Sequence, residues 1–370
     1  MTEDTRPGRA AVIGLGYWGP NLVRNFTASA DWNLRWIVDV DEKRLAKMQR
    51  LYPACRASTD VATVLEDPEV DLVAVAIPPA FHAPIAKRVI AAGKHVLVEK
   101  PLAESPADAR DLVDRAAAAG VKLFTDHTFL YTGAVEAMQR MHAQGELGEV
   151  YYAESQRVNL GLFQQSNVVW DLAPHDLSIL NYVLGRLPDA VACHARACIN
   201  PDVWDVAFLH LRYGSCVAQV HLSWLSPVKV RRTIVSASAR MLVWDDVDPS
   251  EKLRIYDKGV VLEPTSETLA QQMVSYRLGE VRIPMLDSAE ALGKLLDDVW
   301  QSISSGRPSR IGGEFGYDVV RCLEAACHSA RNNGEWVNLD ESDPERRRKA
   351  SESKGETGIV LSPRERSGVV

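Results

Sequence analysis

Among its 370 residues the chain has six cysteines and no C-x-x-C pair. Cys193 and Cys198, like Cys322 and Cys327, are five apart, which is not zinc-finger spacing; Cys55 and Cys216 stand alone. Their apolar surroundings suit buried thiols in a reducing compartment, not a disulfide framework, and no metal site is expected. No apolar run is long enough to span a bilayer, and Thr2 to Arg9 carry no apolar signal-peptide core. The expectation is a cytoplasmic protein without a membrane partner. Basic charge is not in excess either: 42 Lys and Arg against 49 Asp and Glu give a formal net charge of −7. Nucleic-acid affinity rests on neutralising phosphates, so no nucleic-acid partner is expected. Internal repeats are absent.

What is present is enough apolar residue, 46% beside 25% charged, to bury a large core over two domains. Residues 10–126 alternate short apolar runs (Ala10–Ile13, Leu34–Val38, Leu72–Ile77, His95–Val98, Val121–Thr125) with amphipathic stretches (Asp41–Leu51, His82–Ala92, Pro106–Ala119). Continuous apolar strands between helices predict a Rossmann-type, doubly wound parallel sheet covered on both faces, over residues 1–127. Ser105-Pro106-Ala107-Asp108 reads as an N-cap with proline in the first turn and an acid behind it. Residues 128–340 carry longer β-branched and aromatic runs: Glu149–Val158, Ala190–Ile199, Trp204–Tyr213, Ser215–Trp224 and Lys229–Ser236. Tyr213-Gly214-Ser215 reads as a hairpin turn, and helical patterns return at Ala289–Ile303 and Glu314–Asn332. The fold class is therefore α/β plus α+β, the second domain a mostly antiparallel open sheet for substrate binding and oligomerisation. Residues 341–370, with Glu345-Arg346-Arg347-Arg348-Lys349, read as a disordered charged tail.

Gly14-Leu15-Gly16-Tyr17-Trp18-Gly19 follows the first apolar run and opens a helical pattern. G-x-G-x-x-G in that context predicts a dinucleotide site. Gly14 permits the tight turn, Gly16 close approach to a pyrophosphate, and Gly19 close helix packing; Tyr17 and Trp18 complete the loop. The pyrophosphate would rest on the N–H groups of the helix start. Asp39 ends the second strand, where a carboxylate holds the adenosine ribose hydroxyls and repels a 2′-phosphate. NAD is thus favoured over NADP, with Lys43 and Arg44 near enough to soften the preference.

Two segments carry candidate chemistry. In Glu99-Lys100-Pro101 the proline ends a strand and projects Lys100 from its carboxyl end, where open α/β sheets bind ligands. A solvated turn lysine is the other reading. In Val169–Leu177, Asp171 and His175 lie one helical turn apart, and Pro174 is tolerated if this is the first turn. Histidine titrates near neutrality and can take a hydroxyl proton as a hydride leaves, with Asp171 orienting it or binding a substrate hydroxyl; a capping aspartate and a half-buried histidine are the alternative.

The ordered set of G-x-G-x-x-G, Ile77-Pro78-Pro79 with His82, Glu99-Lys100-Pro101 and Asp171-x-x-x-His175 resembles the Gfo/Idh/MocA oxidoreductase family over residues 9–340. The resemblance implies that Lys100 hydrogen-bonds the reacting oxygen, His175 is general acid/base and Asp171 supports it. It also implies that Pro78, Pro79, His82 and Glu99 border the cofactor. Asp126–Tyr131, Arg157–Gly161, Trp170–Ser178 and Ser223–Pro227 are similar to the nucleotide-sugar 3-dehydrogenase branch of UDP-N-acetylglucosamine type. Asp126 departs from it where glycine is commoner, as does Gly133 where proline is. Arg157, Asn159, His127 and Tyr131 are substrate-side candidates, a purely structural role being the other reading of Arg157 and Asn159. The implied activity is NAD(P)-dependent interconversion of a secondary alcohol and a ketone on a sugar, such as a nucleotide sugar at its 3-position, by a homo-oligomer (dimer or tetramer). NAD-dependent glycoside hydrolysis and a non-catalytic dinucleotide sensor are the competing readings.

Overall fold

The computed structural model describes residues 6–161, 166–263 and 273–339, so the charged segment 341–370 lies outside the described residues. Six parallel strands form the first sheet: β1 (Gly8–Ile13), β2 (Trp32–Val38), β3 (Arg56–Ser58), β4 (Leu72–Val75), β5 (His95–Glu99) and β6 (Leu123–Asp126). Their order, β3-β2-β1-β4-β5-β6, is the doubly wound arrangement expected above. Leu72, Val73, Ala74 and Val75 are fully buried, as strands covered on both faces must be. The covering helices are α1 (Gly19–Ala28), α2 (Glu42–Leu51), α3 (Ala62–Glu66), α4 (His82–Ala91) and α5 (Pro106–Ala118). Ser105 Oγ caps α5 by accepting the Asp108 N–H at 3.1 Å, and Asp41 caps α2. The short β3 and α3 escape the sequence patterns because a three-residue strand and a helix with one buried side chain leave little periodicity.

The order reverses between β1 and β4, and a crevice opens there at the carboxyl ends of the strands. The glycine loop after β1, Ile77–Pro79 after β4, Lys100-Pro101 after β5 and His127 after β6 all leave the sheet on this edge. The Lys100–Pro101 peptide is cis.

The second sheet is built from β7 (Val150–Leu160), β8 (Ala190–Arg196), β9 (Val206–Tyr213), β10 (Cys216–Ser223), β11 (Leu225–Ala237), β12 (Met241–Asp245), β13 (Leu253–Glu263), β14 (Met273–Arg282) and β15 (Val337–Asn338). Their order is β14-β13-β12-β11-β7-β10-β9-β8-β15, antiparallel except for the β7/β10 pair. Gly214, at φ +65°, turns the β9–β10 hairpin between Tyr213 and Cys216. One face is covered by α7 (Val168–Leu184) and α9 (Gly313–Arg331), with α6 (Gly133–Ala143) against α7. The other face leaves Tyr152, Phe208 and Val217 exposed. α8 (Ala291–Ser305) and α9 return to the first sheet: Trp32 Nε1 donates to Leu296 O at 3.1 Å, and Gly316 sits so close to Thr125 that a Cβ would lie 2.1 Å from its Oγ1.

Candidate active site

The glycine loop is shaped by contacts that only glycine allows. Gly14 takes φ +94°, and a Cβ there would lie 2.3 Å from Ala76 O; at Gly19 it would lie 1.9 Å from Gly14 O. At Gly16 a Cβ would meet only the Arg44 side chain, Nη1 at 3.7 Å, so no backbone atom crowds the loop on that side. An extended dinucleotide fits this cradle. Asp39 ties the loop to the end of β2, accepting the Leu15 N–H at 2.6 Å on Oδ2 and the Asp41 N–H at 2.8 Å on Oδ1. Tyr17 is exposed at the rim, whereas Trp18 reaches across the crevice and donates Nε1 to Asp126 Oδ2 at 2.7 Å. That bond gives Asp126 a structural reason to stand where glycine would leave Trp18 unheld.

Lys100 lies between the two sheets. Its Nζ donates to the backbone carbonyl of Asp171 at 2.9 Å and is 3.7 Å from Asp171 Oδ1. Asp171 Oδ2 accepts Trp224 Nε1 at 3.1 Å. Among the described residues no side-chain hydrogen bond joins Asp171 to His175, so the structure ties the Asp171 carboxylate to Lys100 and Trp224 instead of to the imidazole. α7 begins at Val168, capped by the Asn167 side chain, which places Pro174 inside the helix and not in its first turn. Proline removes a helical donor and crowds the preceding turn, the turn whose Asp171 carbonyl accepts Lys100.

His175 stacks edge-on against Phe129, ring centroids 5.0 Å apart, and Phe129 also carries the Arg157 guanidinium at 4.7 Å and that of Arg231 at 5.9 Å. Burial first, then Lys100, Arg157, His127 and Arg231, hold the His175 imidazole well below the ordinary histidine range. His127 is buried with neither ring nitrogen partnered, and burial plus Lys100 lower it to about 3. Arg157 is neutralised by buried Asp176, Nε to Oδ2 2.7 Å, and Asp176 also accepts Ser155 Oγ at 2.7 Å. Asn159 and Trp224 flank one point, 3.3 and 3.1 Å from where a Cβ on Gly161 would sit.

Two expected residues sit apart from this group. Tyr131 is buried with its hydroxyl on Asp298 Oδ2 at 2.6 Å, inside the network that joins α8 to the core. His82 clamps two loops, Nδ1 2.7 Å from Pro101 O and Nε2 2.8 Å from Ile77 O, while Pro78 leads into the short turn that it anchors. Pro79 and Pro101 line a cleft of about 310 Å³ with Trp170, Glu104 and Asp202. Phe129 and Arg231 were not singled out from the sequence. The alternation Lys229-Val230-Arg231 contains the signal for Arg231, which pairs in register with Arg157.

The family model described as the oxidoreductase family, NAD-binding Rossmann fold, matches residues 8–127, and the GFO/IDH/MocA C-terminal domain matches 135–243. Myo-inositol 2-dehydrogenase of Thermotoga maritima is 24% identical over 340 residues, 85% of this chain and 96% of its own length. The crystal structure of GenD2 from gentamicin A biosynthesis in complex with NAD is 25% identical, with TM-score 0.75 over 91% of this chain and 97% of that one. UDP-N-acetylglucosamine 3-dehydrogenase GnnA of Acidithiobacillus ferrooxidans shares the fold, with TM-score 0.73 and 23% identity over 89% of this chain and 99% of that one.

Proposed function

Since the chain belongs to the Gfo/Idh/MocA family of NAD-binding oxidoreductases, we propose that it interconverts a secondary alcohol and a ketone at the 3-position of a nucleotide-linked sugar, with His175 as general acid/base. The observation that carries this reading is the convergence of Lys100, His127 and His175 beside the glycine cradle. In that cradle the loop backbone from Gly14 to Gly19 would hold the pyrophosphate and Asp39 the adenosine ribose. NAD bound there supplies a hydride acceptor or, when reduced, a donor.

In the oxidising direction the neutral imidazole of His175 takes the hydroxyl proton as hydride leaves the carbinol carbon. Lys100 Nζ has three donors, of which one goes to the Asp171 carbonyl, and the others are available to the reacting oxygen. Asp171, pinned by Trp224, holds Lys100 in place. Arg231 and Asn159 border the sugar side, and His127 offers its unpartnered nitrogens to a neighbouring hydroxyl.

Because His175 is held below the ordinary histidine range, its base form persists as pH falls through about 6.5. At saturating NAD⁺, kcat/KM for oxidation is expected to stay flat from pH 8 through that value. A limb centred on the ordinary histidine pKa would contradict this assignment.

A second reading is favoured by Glu104 and Asp202 in the cleft, whose charge suits an amino sugar without a nucleotide. The deciding experiment offers NAD⁺ or NADH with a panel of nucleotide sugars and free amino sugars, following nicotinamide absorbance and identifying products by mass. Turnover of nucleotide sugars to 3-keto products supports the first reading, turnover of amino sugars alone the second. Stoichiometric accumulation of NADH separates oxidation from a hydrolase that recycles its cofactor.

The open face of the second sheet, with Tyr152, Phe208, Val217 and Trp336 exposed, suits pairing with a second copy of the chain. Light scattering is expected to give a dimer or tetramer, and Val217→Asp to shift it toward monomer; a wild-type monomer at micromolar concentration would rule this out.

A further inference from the structure

Glu99 and Asp126 end adjacent parallel strands as register partners, so their side chains leave the sheet on the same side. Both stand at the edge from which the glycine loop and Lys100 also leave the sheet, and Trp18 of that loop touches Asp126 directly. Their surroundings differ. Burial raises both carboxyls, but Asp126 accepts Trp18 Nε1 at 2.7 Å and the Thr128 hydroxyl, donors that favour its anion over that of Glu99. Glu99 Oε2 is buried with no hydrogen-bond partner. The Lys100 backbone N–H and charge favour the Glu99 anion, but burial outweighs them, and a second ionised carboxylate beside the first with one oxygen unpartnered is costly.

We propose that Glu99 and Asp126 form a one-proton carboxyl pair at the nicotinamide end of the site, with the proton on Glu99. Docking of the positively charged oxidised ring releases that proton to solvent, so the pair distinguishes NAD⁺ from NADH by ring charge. The step balances: protonated enzyme and NAD⁺ give the Glu99 carboxylate complex and one proton, whereas neutral NADH offers no charge to repay deprotonation.

The groups facing Glu99 are Lys100 beside it, Asp126 on β6 and Asp171 on α7. Burial leads in raising the Glu99 carboxyl to about 8, with Lys100 opposing and the two aspartates adding to the rise. A group raised in the free protein and lowered by a cationic ligand makes that ligand bind better as pH rises toward the free value. NAD⁺ affinity is therefore expected to climb between about pH 6 and 8, by at most about tenfold per unit. NADH affinity stays flat over the same range.

Because no sugar takes part, the test is independent of the substrate proposed above. Calorimetric titration of the full chain at pH 7, in two buffers of different ionisation heat, counts protons released on binding. The expected result is close to one proton per NAD⁺ and close to none per NADH. Glu99→Gln should abolish the release with NAD⁺ while NADH still binds. Asp126→Asn should reduce it, since one of the two negative charges that hold the proton on Glu99 is then gone. Equal release for both cofactor forms, or undiminished release in Glu99→Gln, would overturn the proposal.

Discussion

Lys100→Ala is expected to lower kcat for sugar oxidation by about 10²–10³-fold, the usual cost of removing one donor from a developing oxyanion. The side chain is only 16% exposed and lies between the two sheets, where water screens little of its charge. NAD⁺ binding should change only a few-fold, because the glycine cradle and Asp39 are built without Lys100. Lys100→Arg keeps the charge but substitutes a planar fork for a compact ammonium, and should recover only part of the rate. The measurement is kcat at saturating cofactor together with NAD⁺ affinity by calorimetry. Turnover within about threefold of the parent, with cofactor affinity intact, would remove Lys100 from the reaction.

The second large effect is on stability. Asp176→Ala leaves the Arg157 guanidinium buried without its carboxylate, now 2.7 Å away, and deprives Ser155 Oγ of its acceptor. Breaking a buried pair from one side costs about 3–5 kcal/mol. For a chain of this size that corresponds to a fall in melting temperature on the order of 10 °C. Arg157→Leu with Asp176→Leu removes both charges and should recover much of the loss, since the penalty lies in the stranded charge. Scanning calorimetry on the three proteins checks the pattern; an Asp176→Ala melting point within about 1 °C of the parent would show that the pair carries no such weight. Arg157 also lies over Phe129, which packs on His175, so the single variant should lose activity below its melting point.

The family, the parallel first sheet and the NAD-binding loop were legible in the amino-acid order because each is a local pattern. A strand, a glycine turn and a helix start occupy consecutive residues, and Gly14 and Gly19 are required by contacts within that one unit. Continuous apolar runs announced β1, β4 and β5, whose central residues are buried on both faces, and β2, which is partly exposed at Asn33. β12, β13, β14 and β15 were not expected: β12 and β15 are too short to carry a pattern, and charged residues and glycine interrupt the apolar runs of β13 and β14, so pairing with neighbours defines them. The start of α7 was misplaced for a related reason. Its cap, Asn167, precedes the Asp171–His175 segment, and the helical spacing alone did not show where the helix began.

The chain alone carries the identity of its chemical groups: the glycines, Asp39, Lys100, Asp171 and His175. Which of them meet was decided only in three dimensions. Asp171 faces Lys100 because Trp224, 53 residues away, holds its carboxylate. Asp126 faces Trp18 across 108 residues. Arg231 reaches the Phe129 ring because β11 pairs with β7 in one register. A buried group's charge depends on its neighbours and on the water it has lost, and both are set by packing between elements distant in the chain.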